Sequence, residues 1–171
     1  MSEPRILLRI VMFIVTAAGL LISPGICRAD TQCPWLNATT AGGFLGGDVV
    51  MRVTDRTPLG DAACEFIRRQ GSTVSMLNIA VHTMNDPAKD FASYLSQCNG
   101  QTIPLKAIGT EAVQCIPKGR SAKHEEEVIG RVRERTFILI VHRDKSKPAA
   151  REEGLPNDTR NIAEQVAGSL F

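Results

Sequence analysis

Four cysteines standing behind an apolar leader constrain this chain more than any other feature of its 171 residues. Arg5 and Arg9 precede an uncharged run from Ile10 to Ile22, about 13 residues, the length of a secretory core and short of the roughly 20 needed to cross a bilayer. Ser23-Pro24-Gly25 breaks that run, and Cys27-Arg28-Ala29 places small residues at −3 and −1 of a cut after Ala29. Ile26 stands where a lipoprotein signal wants a small residue. The expectation is a signal segment over 1–29 and one exported domain over 30–171, with membrane contact only through the leader where it is kept as an anchor. Cys33, Cys64, Cys98 and Cys115 then remain in an oxidising compartment, and an even count there predicts two structural disulfides. Three connectivities are possible, and the local pairs Cys33–Cys64 and Cys98–Cys115 are favoured. A zinc site is the sharper alternative, but no CxxC or CxxH spacing exists for it.

Charge narrows the partners. The formal net charge of +2 comes from the leader, because Arg5, Arg9 and Arg28 leave with Glu3. A domain so close to neutral lacks the electrostatic footprint of a nucleic-acid binder. Its length suffices for one core that buries about two-thirds of the unfolded surface.

The stretch 33–49 opens the exported part and carries the single Trp. Asn37 is a suitable N-cap, since its side-chain oxygen accepts from an unpaired first-turn amide. Ala41, Phe44 and Leu45 form one apolar face, and Gly46-Gly47 supplies the left-handed stop. Gly42 and Gly43 each cost about 1 kcal/mol relative to Ala inside that helix, so it must be packed down to persist. The glycines do not make a phosphate loop, which lies between a strand and a helix and is followed by Lys or by the dinucleotide pattern.

Further along, Asp48–Thr54 alternates as a half-buried strand. Residues 55–61 form a loop, Cys64–Arg68 resumes extended structure, and 69–72 turns into a long strand over Val74–Met84. Leu77, Ile79 and Val81 face inward there, with Asn78, Ala80 and His82 opposite. Asp86-Pro87 starts a helix whose Phe91, Tyr94, Leu95 and Cys98 share one face, and Asn99-Gly100 ends it. Residues 103–109 are expected as a loop with apolar anchors, followed by a short strand over Ala112–Ile116. Residues 117–121 turn the chain. Val128–Arg133 and Thr136–His142 read as a hairpin, its second arm apolar on both faces and therefore central. A polar linker leads to a last helix capped at Asp158, with Ile162, Ala163, Val166, Ala167 and Leu170 as its buried stripe. Consecutive hairpins with helices between them predict an α+β domain, an antiparallel sheet flanked by helices.

Cys33-Pro34-Trp35-Leu36-Asn37, Leu45-Gly46-Gly47 and Cys64-Glu65-Phe66 together resemble exported bacterial proteins of unknown function. Those open with Cys-x-Leu-Leu or Cys-x-x-Leu before a short helix ending in Leu-Gly-Gly, then show Cys-x-Phe or Cys-x-Trp on a strand. Ile108-Gly109-Thr110-Glu111-Ala112 is similar to that family's Gly-Asp-Glu-Ala segment. The resemblance implies a PsbP-like α/β/α sandwich over most of residues 33–171. It implies neither catalytic residues nor a cofactor, and the missing lipobox keeps membrane tethering from being carried over.

For chemistry the sequence offers three histidines, His82, His124 and His142. His142 with Asp144, or His124 with Glu125–Glu127, could supply metal ligands, but a frayed, solvated strand end and a loop charge run are the favoured explanation. No Gly-x-Ser-x-Gly elbow is present. Two readings follow. The first is an exported, non-catalytic binding or accessory module of the cell envelope whose partner is a protein or small molecule. The second is a small hydrolase or metal-dependent enzyme using His82 or His142. A histidine within hydrogen-bond reach of an acid and a hydroxyl in one pocket separates them.

Overall fold

The structure is a computed structural model that describes residues 32–54, 57, 61–118, 125–143 and 157–171. In chain order the elements are α1 (Ala38–Leu45), β1 (Val50–Thr54), β2 (Ala62–Gln70), β3 (Thr73–Thr83), α2 (Pro87–Ser96), β4 (Gly100–Leu105), β5 (Glu111–Pro117), β6 (Glu125–Val132), β7 (Arg135–His142) and α3 (Asn157–Ser169). The seven strands form one sheet, β1-β2-β3-β7-β6-β5-β4, antiparallel throughout. The mixed α+β class is therefore present, with most of the structure in the sheet. The expected signal segment lies outside the described residues, as do most of the 55–61 loop, His124, and the linker beyond Arg143.

Alternation sorts the strand residues onto two faces. On the front face Phe66, Leu77, Ile79, Val81, Val128, Phe137, Leu139 and Val141 are all buried. They pack against α1 through Ala41 and Leu45, against α3 through Ile162, Ala163, Val166, Ala167 and Leu170, and against Cys33, Trp35 and Leu36. Each large apolar side chain buried this way contributes about 1.5–3 kcal/mol. The back face holds a smaller cluster, where Phe91 of α2 meets Met84, Val113 and Ile129, with Tyr94, Leu95 and Ile138 at its margin. β7 lies between β3 and β6, which explains why both of its faces are apolar.

Local chemistry sets the helix ends. Thr40 N–H donates to Asn37 Oδ1 at 2.8 Å, and Gly46, at φ 84°, closes α1 with its N–H on Gly42 O. Gly42 is required by space, because a Cβ there would lie 2.8 Å from Gly47 O. In α2, Lys89 N–H donates to Asp86 Oδ1, while Asp90 Oδ2 accepts from the Asn85 and Asp86 amides at 2.9 and 3.0 Å. This reciprocal cap satisfies donors that the helix leaves open.

The bridges are Cys33–Cys64, which ties the segment before α1 to β2, and Cys98–Cys115, which ties the exit of α2 to β5. Three expectations are corrected. Residues expected as a loop at 103–109 are in part the strand β4, because proline is tolerated on the edge of a sheet. Gly100 is the first residue of that strand, and α2 ends earlier at Gln97 in a right-handed conformation. Asp158 is inside α3, where its charge meets the positive end of the helix, and is not the cap.

Candidate functional site

The two faces are covered unequally. α1 and α3 cover the front, whereas on the back α2 covers only the part built from Val113, Ile129 and Ile138. Among the described residues no helix covers the back of β1, β2 and the adjoining part of β3. The strand register arranges the side chains there in rows. One row runs Val50, Ile67, Met76, His142, Glu125, and the next runs Arg52, Glu65, Asn78, Ile140, Glu127. A third begins Thr54, Ala63, Ala80, Ile138.

The pairing of Ala63 with Ala80 matters most for shape. Two methyl groups opposite each other leave a depression of about 190 Å³, bordered by Thr54, Glu65 and Asn78. It has an apolar floor and polar rim groups, and it is shallower and smaller than a typical small-molecule pocket. Beside this open region β3 presents His82, whose ring stacks on Tyr94 of α2 with centroids 5.6 Å apart and planes at 11°. Asp61 Oδ1 accepts the Thr83 amide at 2.7 Å, and its Oδ2 lies 4.0 Å from His82 Nδ1. Burial, followed by the charges of Asp61 and Asp90, pushes the Tyr94 hydroxyl above its ordinary value. Tyr94 thus stays a neutral hydrogen-bonding group well into alkaline conditions.

The far end of the same face is acidic. Glu125 Oε2 is 3.9 Å from His142 Nδ1. Glu127, two residues along β6 on the same side, has its carboxyl raised above the usual range, first by burial and then by the Glu125 charge. At the opposite end Arg52 reaches Glu65 at 4.0 Å, an exposed pair worth little by itself.

The two described histidines do not converge. His82 pairs with Thr136 and His142 with Met76, so six residues of β3 separate them, about 20 Å at strand rise. Among the described residues the nearest carboxylate oxygens stand 4.0 Å from His82 Nδ1 and 3.9 Å from His142 Nδ1, beyond hydrogen-bond distance. Among the described residues no three His, Cys, Asp or Glu side chains are grouped to hold a metal ion. All four cysteines expected to be structural are engaged in bridges. What sequence reasoning missed is the depression. Asn78, Ala80 and His82 were legible as one strand face, but that Ala63 would stand opposite Ala80 depends on the β2–β3 register.

No protein family, curated protein or solved structure matches the chain.

Proposed function

We propose that this chain is an exported, non-catalytic binding module of the bacterial cell envelope, and that the open half of the back face is its docking surface. One observation carries the reading: a seven-stranded sheet whose front is closed by two helices leaves the back of β1–β3 uncovered among the described residues. Two disulfides are compatible with an extracellular or periplasmic location. Helices on both sides of the sheet support a PsbP-like α/β/α sandwich as the finer description of the fold. The proposed occupant is a polypeptide segment with apolar side chains followed by basic ones. Val50 and Met76, on either side of the buried Ile67, offer apolar contact, and the row they begin ends in His142 and Glu125 with Glu127 alongside. Among the described residues no carboxylate lies within hydrogen-bond distance of His82 or His142 to favour the hydrolase or metal-enzyme reading.

Two fluorescein-labelled synthetic peptides test this, one alternating Leu and Lys and the other Leu and Glu, titrated against residues 30–171 by anisotropy. The Leu/Lys peptide is expected to bind more tightly, with the preference lost in Glu125→Gln/Glu127→Gln. Equal binding of both peptides, or a preference that survives the double substitution, would remove the acidic end of this face from the reading.

A further inference from the structure

The two edges of the sheet are built differently. β4 forms one edge and carries Pro104, which has no N–H to offer a further strand. β1 forms the other edge, and its sequence Val-Met-Arg-Val-Thr has no proline and no lysine. Among the described residues β1 pairs only with β2. Its one exposed charge is Arg52, and an edge free of proline presents an unbroken row of backbone groups to another strand.

Exposure along the edge alternates without a break from Asp48 to Thr54. Asp48, Val50, Arg52 and Thr54 are exposed, whereas Val49, Met51 and Val53 are half-buried against the front core. Val50 is 54% exposed. The Arg52 side chain is 62% exposed. The stretch 48–52 is therefore apolar on one side and reads acid, valine, base on the other.

We infer that β1 pairs antiparallel with β1 of a second copy of this chain across a two-fold axis at Val50. An axis perpendicular to the sheet keeps every residue on its own face, so only registers centred on a residue are allowed. Centring on Arg52 sets two guanidinium groups directly opposite, which is unfavourable. Centring on Met51 sets Arg52 against Val50 and Asp48 against Thr54, leaving both charges without an opposite partner. Centring on Val50 sets Asp48 against Arg52 twice, Val49 against Met51 twice, and Val50 against its own copy. Both charges are matched, the two exposed valines cover each other, and the front-face apolar row continues across the axis. The same operation places the two open back faces on one side, joined into a single wider surface. This pairing stands independently of what docks on that surface.

The test is analytical ultracentrifugation of residues 30–171 carrying Asp48→Lys, Arg52→Glu, both, or neither. Wild type is expected to sediment as a dimer at tens of micromolar concentration. Each single variant faces like charges twice, and its dimer is expected to weaken about tenfold or more. The double variant, and an equal mixture of the two single variants, are expected to recover the dimer because the introduced ammonium then meets a carboxylate in place of a guanidinium, or the native pair is re-formed with its signs exchanged. Unchanged melting temperatures at dilute concentration verify that the exposed substitutions leave the fold intact. A monomeric wild type overturns the inference. So does a dimer indifferent to the single substitutions, or single variants that stay apart when mixed.

Discussion

The front and back of this sheet are made by the same strands yet differ in what lies on them. Every large apolar front-facing side chain of β3 and β7, Leu77, Ile79, Val81, Phe137, Leu139 and Val141, is buried beneath two helices. The back is covered by one helix at one end and elsewhere mixes Ala63, Ala80, Asn78 and Glu65 with scattered apolar groups. The difference teaches that stability and recognition are assigned to opposite sides of one β-layer. Large branched and aromatic residues concentrate where area must be removed from water, and small or polar ones where something else can approach.

The sharpest way to break the comparison is to hollow each side in turn. Phe137→Ala, beneath α1 and α3, is expected to cost about 4 kcal/mol in urea unfolding. Phe91→Ala, on the sheet-facing side of α2, is expected to cost about half as much because a small cluster near the margin can relax into the gap. Equal losses would make the back cluster as much a core as the front one.

Next in size are the bridges. Cys33→Ser/Cys64→Ser opens a loop with a sequence separation of 31, and Cys98→Ser/Cys115→Ser one of 17, each worth about 3–4 kcal/mol on the loop-entropy model. The expected contrast is regional. Loss of the first bridge should speed amide exchange across β2, β3 and α1, whereas loss of the second should speed it chiefly in α2 and β4. Uniform acceleration in both variants would show that the back helix has no independence.

The smallest effect concerns Glu127. Its carboxyl is raised in the folded state, so the native protein holds that proton more tightly than the unfolded chain does. The ionised form therefore lowers stability above its folded value, and the deficit disappears as pH falls toward the ordinary glutamate range. Glu127→Gln is expected to raise the melting temperature slightly at neutral pH and to leave it unchanged in acid. A loss at neutral pH would mean that the charge is favourably paired.

Much of the front face could be read without coordinates. The i, i+3, i+4 stripe of α3, the Asn37 cap, the Gly46 stop and the inward set Leu77, Ile79 and Val81 are local patterns, and all are present. β4 escaped because Pro104 and Gly100 argue against a strand until the strand is known to be an edge. The depression escaped because it arises from register between β2 and β3, not from either strand. Gly130 shows the same limit. A Cβ there would lie 2.2 Å from the Phe137 ring, a need for glycine visible only once Gly130 and Phe137 are seen to be opposite one another.

The bond from Cys33 to Cys64 also determines how the domain carries load. Tension applied from the N-terminal side passes through sulfur straight into β2, one strand in from the β1 edge of the sheet. Residues 34–63, with α1 and the edge strand β1 among them, hang outside that line of force. Pulling from the N-terminal side would leave them slack while the strands from β2 onward resist.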